Sequence, residues 1–528
     1  LLAHQAQYIL SSEDRTCLRD LQTTNPSDDK ARIVEASGGL LQDVYSWVLH
    51  ATDFKHWRDD SDNRILWIKG DPGKGKTMLV SGIIEELTHL APDSTISFFF
   101  CQAADARINN CVAVIRGLMY SLFHSQPSLM RHIRREYDEF GKELFEGVNA
   151  WVALSKCFAN ILRDPCLRST YLIIDALDEC NDGLPNLLQF VTRNSAHRRV
   201  KWIVSSRNWP AIQEWLDDAS RTVMLSLESN EESVSDSVAI YIQHKVQQLA
   251  LLKNYNDSLL KDISHYLLSN AQGTFLWVSL VCQGLSKFET SWWNAPKLLT
   301  AFPPGLKSLY RAMLDRLDKS EDAEICRRIL GVSVAAYRPI TLDELPVLVD
   351  MPSPLRCESQ GLSRIIELCG SFLTVRAHAI TFIHQSAKDY LLMDAKTEVK
   401  PHHRKMFLRS LQAMRSTLRR NIYNINHPGT TIEQVKQPKP DPLAATGYSC
   451  VYWVDHLHDY DFQTARDYSD RFAEGGVVED FLKQHYLHWI EALSLLGRIP
   501  DAVAAILRLQ AVLQVRISAP MHFYSDPA

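Results

Sequence analysis

Gly70, Gly75, Lys76 and Thr77 fall at the spacing G-x-x-x-x-G-K-[ST], inside the stretch "GDPGKGKT". The chemistry of that pattern is anion binding. Glycines let consecutive backbone N–H groups turn toward a phosphate, and a following helix adds the partial positive charge of its N-terminus. Lys76 is placed to reach the β- and γ-phosphates of a nucleotide, and the Thr77 hydroxyl to ligate Mg²⁺. Gly73, Lys74 and Met78 complete the nucleotide-contacting run. A chance Gly/Lys turn would lack the flanks found here, apolar "RILWIKG" before and helical "MLVSGIIEEL" after.

A bound magnesium needs a second acid. Asp175 ends the apolar run "YLIID", and a strand adjacent to the one before the loop would bring it beside Thr77. Thr77 and Asp175 are therefore the expected metal ligands. Asp178 and Glu179 follow in "ALDEC". One of them is expected to orient or polarise the attacking water, and the spacing leaves open which. A helix-capping acid cluster is the alternative. Arg207 follows "VKWIVSS", at the sheet edge where ligands bind in α/β folds. A guanidinium there can sense a γ-phosphate; the alternative is an ordinary surface arginine.

The elements that must position these residues are legible. "RILWIKG", "TISFFFCQ", "TYLIIDAL", "VKWIVSSR" and "RTVMLSLE" are short, nearly continuous apolar runs, as buried parallel strands should be. Longer helical stretches alternate with them, which predicts an α/β parallel sheet with helices on both faces over 63–228. Residues 1–62 read as a helical lead-in, with Trp47 and Trp57 as anchors, "TTNPSDDK" as a break and "ARIVEASGGLLQDVYSWVL" as a helix. Residues 229–300 carry helical periodicity in "SVSDSVAIYIQHKVQQLALL" and "LLKDISHYLLSNAQGTFLWVSLVCQGL". "AFPPGL" breaks the chain. Beyond it, helices "KSLYRAMLDRL", "AEICRRILGVSVAAY" and "TLDELPVLVD" precede a hairpin, "FLTVRAHAITFIHQS", suggesting a winged helix over 301–398. Residues 399–528 read as helical, interrupted by "NINHPGTTIEQVKQPKPDP". No internal repeat is present, so neither a propeller nor a solenoid is expected.

Composition sets the bounds. A chain of 528 residues exceeds one core. Its net charge of -5 gives no reason to expect nucleic-acid binding. The 11 cysteines show no C-x-x-C pair and sit mostly in apolar contexts, which predicts reduced, buried thiols of an intracellular protein. The longest apolar stretch, "GTFLWVSLVCQGL", is too short to span a bilayer. No signal peptide is visible. The first residue is Leu, so a fragment is expected. Trp292–Trp293 reads as a packing anchor, "PKPDP" as a rigid loop and "RHIRREYDEFGK" as a solvated charged face.

Taken together, "WIKGDPGKGKTM", "LIIDALDEC", "WIVSSRNWP", "FPPGLKSLY" and "FIHQSAKDYLL" resemble fungal NACHT proteins, a branch of the STAND class of signal-transduction NTPases. The resemblance runs from about Asp28 to Leu513; the final "VRISAPMHFYSDPA" falls outside the pattern. It implies a P-loop core, a small helical domain, a winged helix and an all-α C-terminal domain. The position after the magnesium acid is Ala176, with the acids delayed to Asp178 and Glu179, which matches the family and implies slow turnover. Arg207 occupies the family's sensor position. His384 matches the winged-helix histidine that contacts the β-phosphate of ADP in related switches; from the residues alone it reads as a packed histidine. The family's small helical domain often places a proline on the adenine, and "GTFLWVSLV" has none.

The function implied is a cytoplasmic switch, closed with ADP and opening with ATP and Mg²⁺ to self-oligomerise. GTP remains open, because the loop reads phosphates. Fungal relatives include vegetative-incompatibility and cell-death proteins carrying effector and sensor domains, neither of which is evident in this chain. A remodelling ATPase and a nucleotide-stabilised scaffold are the competing readings.

Overall fold

The computed structural model describes residues 10–518 except 148, 218–220, 254, 287–294, 352–358, 370–371, 377, 395–398, 428 and 461–475. Trp292–Trp293, the turn residue at 377 and most of the chain's final stretch lie outside the described residues. The chain divides into two units, 1–312 and 313–528.

The five expected strands form one parallel sheet in the first unit. They are β1 (Ile65–Lys69), β2 (Thr95–Phe100), β3 (Thr170–Asp175), β4 (Val200–Ser206) and β5 (Thr222–Ser226), in the order β2-β3-β4-β1-β5. Period-two alternation assigns the faces. Trp67, Leu172, Ile174, Trp202 and Val204 point into one core with Val114, Leu118 and Phe158. Leu66, Ile68, Ile173 and Ile203 point into the other with Val80, Ile83 and Ile84. Helix Lys76–Leu90 on one face, and helices Cys111–Ser125 and Ala150–Leu162 on the other, supply those partners.

One expectation about the sheet is corrected. β3 is not adjacent to β1; β4 lies between them. Register pairs Ile65 with Trp202 across β1/β4 and Leu172 with Trp202 across β3/β4. Asp175 therefore approaches Thr77 past the end of β4.

Two helix boundaries also differ. The run read as a single helix from Ala31 breaks after Ala36, because Gly38 and Gly39 take φ of 92° and 95°, a region that glycine enters without a Cβ penalty. The helix begins earlier, at Pro26, capped by the Asn25 side chain on Ser27 N–H. Only one-turn pieces, Gln42–Tyr45 and Trp47–His50, follow. The stretch 257–286 is likewise two helices, Asp257–Asn270 and Phe275–Ser286, parted by Gln272 (φ 49°) and Gly273 (φ 63°). The helix Arg131–Phe140 buries Ile133 and pairs its charges: Arg131 and His132 both reach Asp164, and Arg134 pairs with Asp14 at 3.4 Å and Asp138 at 2.8 Å.

The second unit contains helix Ala323–Ala335, then β6 (Ile340–Thr341), β7 (Leu373–Arg376) and β8 (Ala379–Phe382) in an antiparallel sheet ordered β6-β8-β7. "TLDELPVLVD" is thus mostly not helical: Thr341 ends β6 and only Leu345–Leu348 turns. Glu344 explains the interruption. Its carboxylate takes Arg338 at 2.6 and 2.8 Å, Thr341 N–H at 3.0 Å and Tyr448 N–H at 2.9 Å. Helices Val399–Thr417, Gly447–Asp459, Val477–Leu495 and Ile499–Ser518 complete the unit around Trp453 and Trp489.

A buried imidazole pair sits in this unit. His403 Nδ1 and His456 Nδ1 are 2.7 Å apart, and Tyr448 Oη meets His456 Nε2 at 2.8 Å. Burial and the neighbouring His403 push His456 down to about 3 from 6.5. The folded state therefore favours neutral His456, while the unfolded chain binds its proton near pH 6.5. Stability from this site is complete above pH 6.5 and is lost as pH falls toward 3, with a slope of at most about 1.4 kcal/mol per pH unit per proton. The denaturant midpoint should fall between pH 7 and pH 5. A His456→Asn chain, less stable at pH 7, should show a shallower fall; an equal slope would exclude His456 as its source.

Candidate functional site

Helix Lys76–Leu90 is entered through Gly75 at φ 85°, and Gly73 takes φ 79°. Both need glycine for a second reason. A Cβ on Gly73 would come within 2.9 Å of Leu276, and one on Gly75 within 2.9 Å of the Phe275 ring. The loop thus lies directly under the start of helix Phe275–Ser286, and Leu276 N–H donates to Gly73 O at 3.3 Å.

Lys76 Nζ donates to two carbonyls of its own loop, Gly70 O at 2.6 Å and Asp71 O at 3.1 Å. Burial pushes its pKa down, and the charges of Asp178 and Asp175 oppose that shift. The Lys74 side chain leaves the loop and donates to Gln272 O at 3.0 Å. Asp71 N–H donates to Glu228 Oε1 at 2.7 Å.

Asp175 is brought near Thr77, whose hydroxyl favours the charged carboxylate. The bridge across β4 is Ser205, whose Oγ donates to Asp175 Oδ1 at 2.5 Å and accepts Ala176 N–H at 2.9 Å. Ala176 is left-handed, at φ 55°. Asp175 is buried, which raises its pKa, while Ser205, Thr77 and Lys76 favour the charged form. Hydroxyl and carboxylate oxygens are hard donors, and a pair of them suits Mg²⁺, which takes its remaining positions from water and phosphate. Thr77 and Asp175 fit that ion.

The two delayed acids do different things. Asp178 takes Arg207 on both oxygens, the backbone N–H at 3.0 Å and Nε at 2.8 Å. Glu179 accepts Ala103 N–H at 2.9 Å, and burial raises it to about 7. Arg207 is thereby fixed at the end of β4, beside the acids. His384 lies in the other unit, directly after β8. It caps helix Gln385–Met393, its Nδ1 accepting Ser386 N–H at 3.1 Å and meeting Ser386 Oγ at 2.8 Å. With Nδ1 accepting, a neutral ring carries its proton on Nε2.

Ser205, Glu228 and the Gln272–Leu276 turn escaped the sequence reading. Ser205 was findable as the polar end of a buried strand. The other two touch the loop only through the fold.

Comparison with known proteins follows the same lines. The family described as Nephrocystin 3, N-terminal, matches residues 43–207. The vegetative incompatibility protein HET-E-1 of Podospora anserina is 48% identical over 519 residues, covering 95% of this chain. The chain spans 38% of that relative's length. Among solved structures, C. elegans PCH-2 aligns with 12% identity over 56% of this chain and 70% of its own (TM-score 0.28). A point variant of Thermotoga maritima RuvB aligns with 15% identity over 66% and 93% (TM-score 0.24).

Ser205→Ala should leave Asp175 Oδ1 and Ala176 N–H without their buried partner, costing about 1–3 kcal/mol. Thermal unfolding of the free protein would read that cost. Titration with Mg²⁺-ATP should show a weakened site; affinity equal to the parent's would mean Asp175 holds its place without Ser205.

Proposed function

We propose that the chain is a NACHT-type P-loop NTPase acting as a nucleotide-operated switch: closed with ADP, and open and self-associating with ATP and Mg²⁺. The observation that carries the reading is the convergence of Lys76, Thr77 and Asp175 at one end of the sheet, with Ser205 as brace.

Each residue has a part. Backbone N–H groups of Gly73 to Met78 and the Lys76 ammonium hold the phosphates. Thr77 and Asp175 hold Mg²⁺, which when bound offsets charge on the β- and γ-phosphates. Arg207, fixed by Asp178, faces the γ-phosphate. Glu179 orients the attacking water and, with a pKa of about 7, accepts its proton. Asp178 is the anchor of the arginine, so the acid left open by the sequence is Glu179. One poorly driven base without a following glutamate at Ala176 fits slow hydrolysis that resets a switch. GTP is the alternative substrate, since the loop reads no base.

The division into domains at 63–228, 229–300, 301–398 and 399–528 belongs to the same reading. His384 is the lock: with Nδ1 engaged by the helix cap, Nε2–H donates to the β-phosphate of ADP in the closed state. Effector and sensor domains lie outside this chain, and the output is non-self recognition and cell death in the fungal cytoplasm. The relative's name supports that output. Among the described residues no helix is long and apolar enough to cross a membrane.

Two experiments test the proposal. Lys76→Ala should lose most nucleotide affinity in calorimetry with Mg²⁺, and Glu179→Gln should bind ATP normally but slow single-turnover hydrolysis. Parent-like binding in the first sinks the nucleotide site, and unchanged hydrolysis in the second removes Glu179 from the water. His384→Asn separates cap from lock, because Asn still caps a helix but cannot supply Nε2–H. It should copurify with less ADP, release labelled ADP faster and form larger species with ATP in light scattering. A monomer releasing ADP at the parent rate would leave His384 a helix cap only.

A further inference from the structure

We infer that Glu228 is a positioning residue that sets the phosphate-binding lysine through a single peptide group. The inference rests on the phosphate-loop reading above and adds to it a residue from the far edge of the sheet.

The Gly70–Asp71 peptide joins the two side chains. On one edge, Asp71 N–H donates to Glu228 Oε1 at 2.7 Å. On the other edge of the same peptide, Gly70 O accepts from Lys76 Nζ at 2.6 Å. A trans peptide is planar and holds its N–H and C=O on opposite sides. The acceptor that fixes the N–H therefore aims the carbonyl, and the carbonyl holds the ammonium.

Glu228 is itself held. Its Oε2 accepts Ser226 Oγ–H at 3.0 Å. Burial raises its pKa, but the Asp71 amide, Ser226 and the Asn208 amide outweigh that and keep it below the usual carboxylate value. Asn208 also donates to Asp71 Oδ1 at 3.3 Å, closing a triangle over the start of the loop. The same segment presses on the loop sterically. Leu227 N–H donates to Lys69 O at 2.9 Å, and a Cβ on Gly70 would come within 3.0 Å of the Leu227 side chain. The Glu228 residue is exposed, so removing its carboxylate opens no cavity.

The test is calorimetry of the full chain with Mg²⁺-ATP and with Mg²⁺-ADP, and unfolding midpoints without nucleotide as a control. Glu228→Ala should weaken binding by about 2- to 13-fold, the range for one net hydrogen bond. Glu228→Gln, whose amide oxygen accepts the same N–H, should stay within about twofold of the parent. In a Lys76→Ala background, Glu228→Ala should add less than about twofold, because the two act through one peptide. Parent affinity in Glu228→Ala, a Gln variant as weak as Ala, or an undiminished effect beside Lys76→Ala would each overturn the inference. The single Lys76→Ala variant separates the two failures. If it binds nucleotide like the parent, the loop reading falls; if it loses binding while Glu228→Ala does not, only the positioning role falls.

Discussion

A buried carboxylate with a shared set of donors governs this site. Asp175 is 2% exposed, and an ionised carboxylate at that depth must be matched by hydrogen bonds and opposite charge. Thr77 and Lys76 supply them from the phosphate loop, and Ser205 from the strand between. Ser205 is what the interposed β4 contributes to that set of donors. The last two residues of β4, Ser205 and Ser206, are fully buried hydroxyls that follow the apolar run Trp202–Val204. Ser206 serves the opposite neighbour, accepting Trp67 Nε1–H at 2.9 Å. β4 thus braces β3 with one serine and β1 with the next.

The same logic separates the two delayed acids. A carboxylate that takes a guanidinium and its backbone N–H has both oxygens engaged as acceptors. Asp178 is in that state. Glu179 gains one backbone N–H and loses solvent, and burial wins, raising it to about 7. A carboxyl group poised near neutrality can take a proton and return it, which a strongly paired one cannot. Identical chemistry at adjacent positions is divided by environment alone.

Legibility followed distance along the chain. The phosphate loop, the five strands and Asp175 were readable, because glycine spacing and apolar runs are local facts. The expectation that set Asp175 beside Thr77 assumed adjacent strands, but the sheet order is set by long-range packing, and nothing in "YLIID" says which strand will lie between. The overlong helix from Ala31 failed on "SGG", where two left-handed glycines won over a continuing apolar period. Lys74 shows a subtler limit. Motif logic assigns a lysine in a phosphate loop to the phosphate, yet its amine is held by Gln272 O, a partner 198 positions away. The proposed placement of His384 on a phosphate has the same character. What the structure shows of that residue is a local cap.

Gln272 also recasts the missing proline of "GTFLWVSLV". Its absence left this segment's contacts to the base open. The segment is tied to the phosphate loop by other means. Left-handed Gln272 and Gly273 turn the chain so that Thr274, Phe275 and Leu276 lie against the two loop glycines. Leu276 N–H reaches Gly73 O, and Lys74 reaches Gln272 O from the other side. The contact is made to the glycine Cα faces, where no side chain intervenes. Any shift of the loop's backbone must therefore move the start of helix Phe275–Ser286 or open a gap beneath it. That helix is anchored in turn to the "FPPG" turn, through Trp277 Nε1–H to Pro303 O at 2.9 Å. Gly305, at φ 79°, has room only for a hydrogen, since a Cβ would come within 2.6 Å of Gln272 Oε1. The turn that leads out of the first unit thus packs on the residue that the phosphate loop holds. The segment follows the loop through backbone contacts that a proline on the base would not provide.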